Sequence, residues 1–293
     1  MLGLRTGVIT KLPKNEIGKF IKHKIRFGGT SDDFVTYDDS EDKRLGVYYY
    51  ESGAFPRVPV VSYDRRGSSF TTFRAGELPE RVYTSAEVFH TSGITLALNE
   101  SLREEVISMM EKFHREGAII SFDVNYRANL WDEATAKATI ERILPLVNVL
   151  FISEETLRRM FGMTGSLSDI HRTFAEKYKS LAVIASTQRT VISPQKHNFT
   201  SLVYDCAEKR HFAEHPYENI DVVDRIGSGD AYVAGALYGM LAIGNIEAMA
   251  RYGNAMAALK NTVMGDMTVC DLADIERIIK THNSGGSGSE MVR

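Results

Sequence analysis

Apolar positions along the middle of the chain repeat first at helical and then at strand spacing. Over residues 99–116, Leu102, Val106, Met109, Met110 and Phe113 fall on one stripe, a spacing that predicts an amphipathic helix. Gly117 ends it, because glycine readily takes the left-handed conformation that closes a helix. Residues 118–122 (Ala-Ile-Ile-Ser-Phe) then read as a short buried strand. The same alternation predicts a helix over 132–144, a strand over 147–152, helices over 154–161 and 168–178, and a strand over 181–185. Strands alternating with helices at these spacings predict an α/β fold with a mainly parallel sheet covered by helices.

Two regions break the alternation. Residues 44–73 are rich in Tyr, Val, Thr and Ser, with strand-like runs at 45–50 and 58–63, and predict an antiparallel ribbon beside the main sheet. Residues 190–212 predict shorter strands with no helix between them. Long apolar, small-residue-rich helices are expected over 231–243 and 246–261, and a short one over 271–280. The run Asn-Ser-Gly-Gly-Ser-Gly-Ser at 283–289 has the composition of a flexible tail. At the other end the chain opens at once on an apolar stretch that reads as a strand. The expected organisation is a core of 1–43 with 74–282, a β lid of 44–73 and a tail of 283–293.

Composition narrows the class. The 293 residues are 43% hydrophobic and 25% charged, as in ordinary soluble proteins, and a core of this size needs no disulfide or metal staple. With 35 Lys and Arg against 38 Asp and Glu, the chain lacks a generally basic nucleic-acid footprint. Two cysteines, Cys206 and Cys270, make no disulfide scaffold and leave the cytoplasm as the expected compartment. The longest mostly apolar run, 233–244, is too short to span a bilayer, so no membrane contact is expected.

Candidate chemistry is densest at Gly227-Ser228-Gly229-Asp230, just before a strongly apolar helix. Backbone N–H groups at a helix start point toward whatever docks there, and the helix dipole favours an anion. Asp230, in the first turn, is placed to accept a proton from a hydroxyl. Together these would serve phosphoryl transfer. Taken alone, the tetrapeptide is more often merely a turn that caps a helix. Neither a dinucleotide fingerprint nor a P-loop fits, since Tyr232 stands where a glycine would be required and no Gly-Lys-Ser/Thr occurs.

The wider run Asp224-Arg225-Ile226-Gly227-Ser228-Gly229-Asp230 resembles the C-terminal signature of the ribokinase-like (pfkB) sugar kinases, usually Asp-Thr-x-Gly-Ala-Gly-Asp. Arg225 at the usual Thr position is similar to the branch that phosphorylates 2-dehydro-3-deoxygluconate (KDG). The resemblance implies a three-layer α/β/α core with a small β lid. It implies an ATP-dependent kinase using Mg²⁺, and optionally a monovalent cation such as K⁺. Asp230 would be the catalytic base, and 227–229 (Gly227, Ser228, Gly229) the anion hole.

Further stretches carry the same resemblance. Phe122-Asp-Val-Asn-Tyr-Arg-Ala-Asn-Leu-Trp131 follows a predicted strand, where α/β proteins bind ligands, and Arg127 offers a planar fork suited to a carboxylate or phosphate. The run is similar to a KDG-kinase segment in which Asn125, Tyr126 and Arg127 would contact substrate and nucleotide; Ala128 replaces the usual Pro. Tyr63-Asp-Arg-Arg-Gly-Ser-Ser69 resembles the lid segment in which Tyr63 and Arg65 would grip the acid sugar, with Tyr48 as a further contact and Arg66 left at the surface. The resemblance places Ser186, Thr187 and Arg189 in a nucleotide-contacting loop over 185–191, although the usual Gly-rich version is absent. Asn254 would flank the adenine, its plain alternative being a helix position facing solvent. Asp266 would lie in a late substrate-contacting turn. Lids of this kind in the family often pair, which marks the ribbon as a candidate surface for a homo-oligomer.

Two departures stand against these likenesses. The metal-organising Asn-x-x-Glu is replaced by Ser153-Glu154-Glu155-Thr156, so Glu154 and Glu155 are candidates to act on a metal through water, or simply acids favoured in a helix's first turn. Family members begin with a strand and a Gly-Gly-x-x-x-Asn loop, which the present sequence lacks; Phe27-Gly-Gly-Thr30 is not that loop. Three readings follow: a kinase forming KDG 6-phosphate from ATP, a kinase of another acid or ketose (5-dehydro-2-deoxygluconate, fructose), or a truncated, non-catalytic nucleotide-binding remnant.

Overall fold

The apolar opening stretch is not a strand. Residues 3–7 are exposed, with no layer to cover them, and pairing there is limited to one isolated parallel bridge between Gly7 and Ser31. The computed structural model describes residues 2–53 and 56–284, so the expected tail lies outside the described residues apart from Asn283 and Ser284. They form two compact units, one of Arg5–Glu51 with Val60–Ile184, the other of the described residues 2–4, 52–53, 56–59 and 185–284. The chain passes between the units at 4/5, 51/52, 59/60 and 184/185.

The first unit starts with strand β1 (Thr10–Pro13), helix α1 (Glu16–Phe27) and β2 (Val35–Asp38), the two strands pairing parallel from Thr10↔Val35 to Pro13↔Asp38. The ribbon exists as a separate two-stranded antiparallel sheet, β3 (Val47–Glu51) with β4 (Val60–Asp64). Then follow α2 (Arg81–Ser85), β5 (Val88–Ser92), α3 (Gly93–Ala97), α4 (Glu100–Arg115), β6 (Ile119–Asp123), α5 (Glu133–Ile143), β7 (Val149–Phe151), α6 (Glu154–Arg159) and α7 (Leu167–Lys177). Strands β5, β6 and β7 are parallel, and Ser92, Asp123 and Phe151 stand level at their carboxyl ends. The predicted stripe of α4 is buried throughout, as are Ile120, Phe122 and Leu150 of the sheet. Strand β7 is shorter than expected because Asn148 uses its side-chain oxygen to accept the Ile120 amide at 2.9 Å.

Strand β8 (Val183–Ser193) starts beside β7 and continues into the second unit. There β9 (Lys196–Asp205) has β8, β10 (Arg210–Ala213) and β11 (Tyr217–Asp221) as neighbours, the last two antiparallel to it. Residues 190–212 thus hold two long strands and one short one. Residues 185–191 are not a loop: they run on within β8, where Thr187, Thr190 and Val191 suit an extended backbone and no glycine interrupts it.

Helices α8 (Ser228–Tyr238), α9 (Ile246–Asn261) and α10 (Leu272–Asn283) complete this unit. The expected helix through Ile243 leaves the α conformation at Gly239–Ile243, a π turn closed by Gly244. Helices α8 and α9 approach closely through small residues. A Cβ at Gly235 would lie 2.3 Å from the Tyr252 carbonyl oxygen, and one at Gly253 would lie 2.7 Å from the Tyr232 ring.

Candidate active site

Helix starts differ across the molecule in a way that bears on chemistry. Helices α1, α4, α5, α6, α7, α9 and α10 are capped by side chains of Asn15, Asn99, Asp132, Ser153, Ser166, Asn245 and Asp271, each accepting a first-turn amide. Such a cap contributes about 1 kcal/mol. The 11-residue α8 has Gly227 in that place and no side-chain cap. Its first turn therefore presents amide dipoles to an outside anion. Ser228 spends its amide on a turn to the Arg225 carbonyl (3.2 Å). Asp230 lies exposed in that same turn.

The loop before α8 is held by buried charge. Asp224, 4% exposed, accepts the Ile226 amide at 2.9 Å and the Gly265 amide at 3.0 Å. Lys260 is fully buried and donates to the carbonyls of Asp224 and Val263, both at 3.0 Å. Burial lowers its pKa, while Asp224 and Asp266 pull the other way. Gly227 has φ +77, and a Cβ there would lie 2.4 Å from the Asp266 carbonyl oxygen. Glycine is thus required by both conformation and space. The structure sets Gly227 against the Asp266 turn, with Asp230 three residues further on in the first turn of α8. Lys260 was missed; a lone Lys within the small-residue stretch of 254–261 was its available signal.

Ser186, Thr187 and Arg189 follow one another along β8, with Ser186 buried and Arg189 exposed. Desolvation and the charge of Arg225 both lower the Arg189 pKa. Asn254 is not solvent-facing. It is buried, and its amide donates to Glu214 Oε2 at 3.1 Å. Burial raises the Glu214 pKa, partly offset by that hydrogen bond.

In the first unit, β3 and β4 set Tyr48 directly opposite Tyr63, with ring centroids 6.1 Å apart. The Arg65 guanidinium lies over the Tyr63 ring at 4.0 Å. Arg127, exposed after the carboxyl end of β6, is close enough for its charge to oppose that of Arg65. Burial lowers the Arg65 pKa first; Tyr63 acts against this, and Arg127 adds to the lowering. Neither arginine has a carboxylate partner among the described residues. Asn125 holds a left-handed backbone, φ 33, with its amide on Asp123 Oδ1 at 3.2 Å. Tyr126 donates to the Trp131 carbonyl at 3.4 Å. The turn after β6 is therefore shaped by a conformation uncommon outside glycine, which local bonds sustain. Arg66 is exposed, as expected.

The metal expectation fares differently. Glu154 and Glu155 occupy the first turn of α6 and pair with Arg158 (2.6 Å) and Arg159 (3.4 Å) one turn on. Among the described residues no three His, Cys, Asp or Glu gather into a metal-holding group. These two carboxylates are occupied by arginines and do not fit a preformed metal site.

Comparison with known proteins agrees with the geometry. The family model for pfkB family carbohydrate kinases matches residues 1–272. The 2-dehydro-3-deoxygalactonokinase of Haloferax volcanii is 34% identical over 284 residues, covering 97% of this chain and 85% of that protein. The 2-dehydro-3-deoxygluconokinase of Bacillus subtilis is 27% identical, covering 91% and 78%. The crystal structure of 2-dehydro-3-deoxygluconokinase from Thermotoga maritima superposes with a TM-score of 0.89 at 28% identity, covering 95% of this chain and 85% of that one. With the uncapped glycine loop, its aspartate and this match along nearly the whole chain, the protein belongs to the pfkB family of carbohydrate kinases.

Proposed function

We propose that this sugar kinase phosphorylates a 2-dehydro-3-deoxyhexonate, of gluconate or galactonate configuration, on its terminal hydroxyl, using ATP. The observation that carries the acid is the Arg65–Arg127 pair. Two guanidiniums held within electrostatic reach, without a carboxylate between them, are stabilised by an anion that bridges them. A neutral ketose offers no such charge. Tyr48 and Tyr63 flank Arg65 and supply the hydroxyl groups and ring faces of a sugar grip. The names of the Haloferax and Bacillus relatives point to the same substrate class.

Asp230 takes the proton of the terminal hydroxyl as its oxygen attacks the γ-phosphorus. The new bond is sugar O–P, the broken one joins the γ-phosphorus to the β–γ bridging oxygen, and ADP leaves with that electron pair. The amides at the start of α8 receive the charge on the transferring phosphoryl group. Mg²⁺ enters with the nucleotide as its complex, and no resident metal site is assigned to Glu154 or Glu155. The Asp266 turn, pinned through Gly227 to the base, lines the acceptor side.

Incubation of the protein with MgATP and 2-dehydro-3-deoxygluconate or its galactonate epimer tests this reading. Sugar-dependent ADP release and a terminal phosphomonoester, seen by ³¹P–¹H coupling, are expected. ADP release that is the same with and without either sugar would refute it.

A further inference from the structure

Away from the glycine loop, the second unit holds an open cavity of about 680 Å³ where the start of β10, the first half of α9 and the last half of α10 meet. Its apolar wall is Ile243, Ala248 and Ile279. The π turn shapes that wall. It runs so close to α9 that a Cβ on Gly239 would lie 2.4 Å from the Ala248 carbonyl carbon, and it leaves Ile243 51% exposed. Turns of this kind concentrate at functional sites. Two polar contacts frame the opening. Arg210 pairs with Glu247, joining β10 to α9, and the Tyr252 hydroxyl donates to Glu276 Oε1 at 3.5 Å, joining α9 to α10. Two cations of the same lining, Arg251 and Lys280, have no carboxylate partner among the described residues. The Arg251 guanidinium lies 5.5 Å from the Phe212 ring centroid, a contact that orients its fork. Ala248 precedes Lys260 by 12 residues of α9, about 18 Å at the helical rise, so the cavity is separate from the loop that Lys260 and Asp224 hold.

We propose that this cavity binds an organic phosphate monoester, with Arg251 and Lys280 on the phosphate and Ile243, Ala248 and Ile279 against its carbon body. The volume falls within the range of small-molecule sites, roughly 300–1,000 Å³. A phosphate monoester carries a charge of about −1.5 to −2 near neutral pH, which matches two free cations, whereas a monocarboxylate matches one. The guanidinium fork takes two phosphate oxygens, and the ammonium serves the third as a point charge. Of the two acids in the lining, Glu247 is neutralised by Arg210. Glu276 faces the Tyr252 hydroxyl, so the phosphate belongs on the Arg251 and Lys280 side and a ligand hydroxyl on the other.

Fluorescence titration of the intact protein with 1-naphthyl phosphate, with and without saturating MgADP, tests the cavity. Saturable binding that MgADP does not displace is expected, with 1-naphthoate weaker and the neutral 1-naphthalenemethanol weaker still. Arg251→Gln and Lys280→Gln are each expected to weaken the phosphate about tenfold, as loss of a charge-assisted bond implies. Both side chains are exposed, so thermal unfolding should be unchanged, and Arg251→Lys should recover part of the affinity. Ile243→Glu, also at an exposed position, sets a carboxylate on the wall and should weaken the phosphate more than the neutral alcohol. Absence of binding, displacement by MgADP, or affinities within twofold of wild type in all these variants would overturn the site. Tighter binding of 1-naphthoate or of the alcohol than of the phosphate would overturn the ligand class.

Discussion

Asp230→Asn is expected to lower kcat by about 10²–10⁴-fold, the range that a positioned general base contributes, while ADP affinity stays within a few-fold of wild type. The amide keeps the size and hydrogen-bonding reach of the carboxylate but cannot accept the hydroxyl proton. Asp230 stands in the first turn of α8 with no side-chain cap competing for that helix start. Loss of its charge there forfeits helix-dipole stabilisation of roughly 0.3–1 kcal/mol, too little to unfold the unit. Thermal unfolding of the variant separates that small loss from a collapse of the loop. The loop is secured elsewhere, by Asp224 on two amides and by buried Lys260. Turnover within a few-fold of wild type would remove Asp230 from the chemistry.

Arg127→Ala and Arg65→Ala should each raise KM for the acid sugar by about tenfold to a hundredfold, as expected for a charge-assisted hydrogen bond of roughly 1.5–3 kcal/mol. Turnover at saturation should fall less. The effects should not add. In the sugar-free protein Arg127 opposes the charge of Arg65, so removing either arginine relieves the other, and the double variant should lose less than the sum of the singles. Arg65 carries a second contribution through its stack on Tyr63 at 4.0 Å, which pre-orients the guanidinium. Arg65→Lys should therefore recover charge without full affinity. Steady-state kinetics on the wild type and the four variants, with a neutral ketose as control, reads all of this; equal KM values across them would show that the pair does not meet the carboxylate.

Periodicity in the sequence made the alternating α/β stretch from 99 to 178 legible, because each stripe there faces one continuous core. It was less informative where burial does not set the pattern. The opening residues are apolar but exposed, and β8 runs straight through a stretch expected to turn, since Thr187, Thr190 and Val191 favour extension over any functional expectation. The π turn at Gly239–Ile243 is equally silent in sequence, its residues being as apolar as the helix before them. At the site, local motifs were readable: the glycine loop, its aspartate and the arginine after β6. Partners that meet through topology were not. Lys260 beneath Asp224, Glu214 beside Asn254, and His197 near two arginines lie between 28 and 40 residues away from at least one partner and obey no spacing rule.

The most direct test of the central claim, that this carbohydrate kinase is built for an acid sugar, is the ratio of kcat/KM for 2-dehydro-3-deoxygluconate or its galactonate epimer to that for fructose, measured with the same MgATP. Two charge-assisted contacts predict a preference for the better acid of about 10²-fold or more. A ratio near one, or a preference for fructose, would contradict the account.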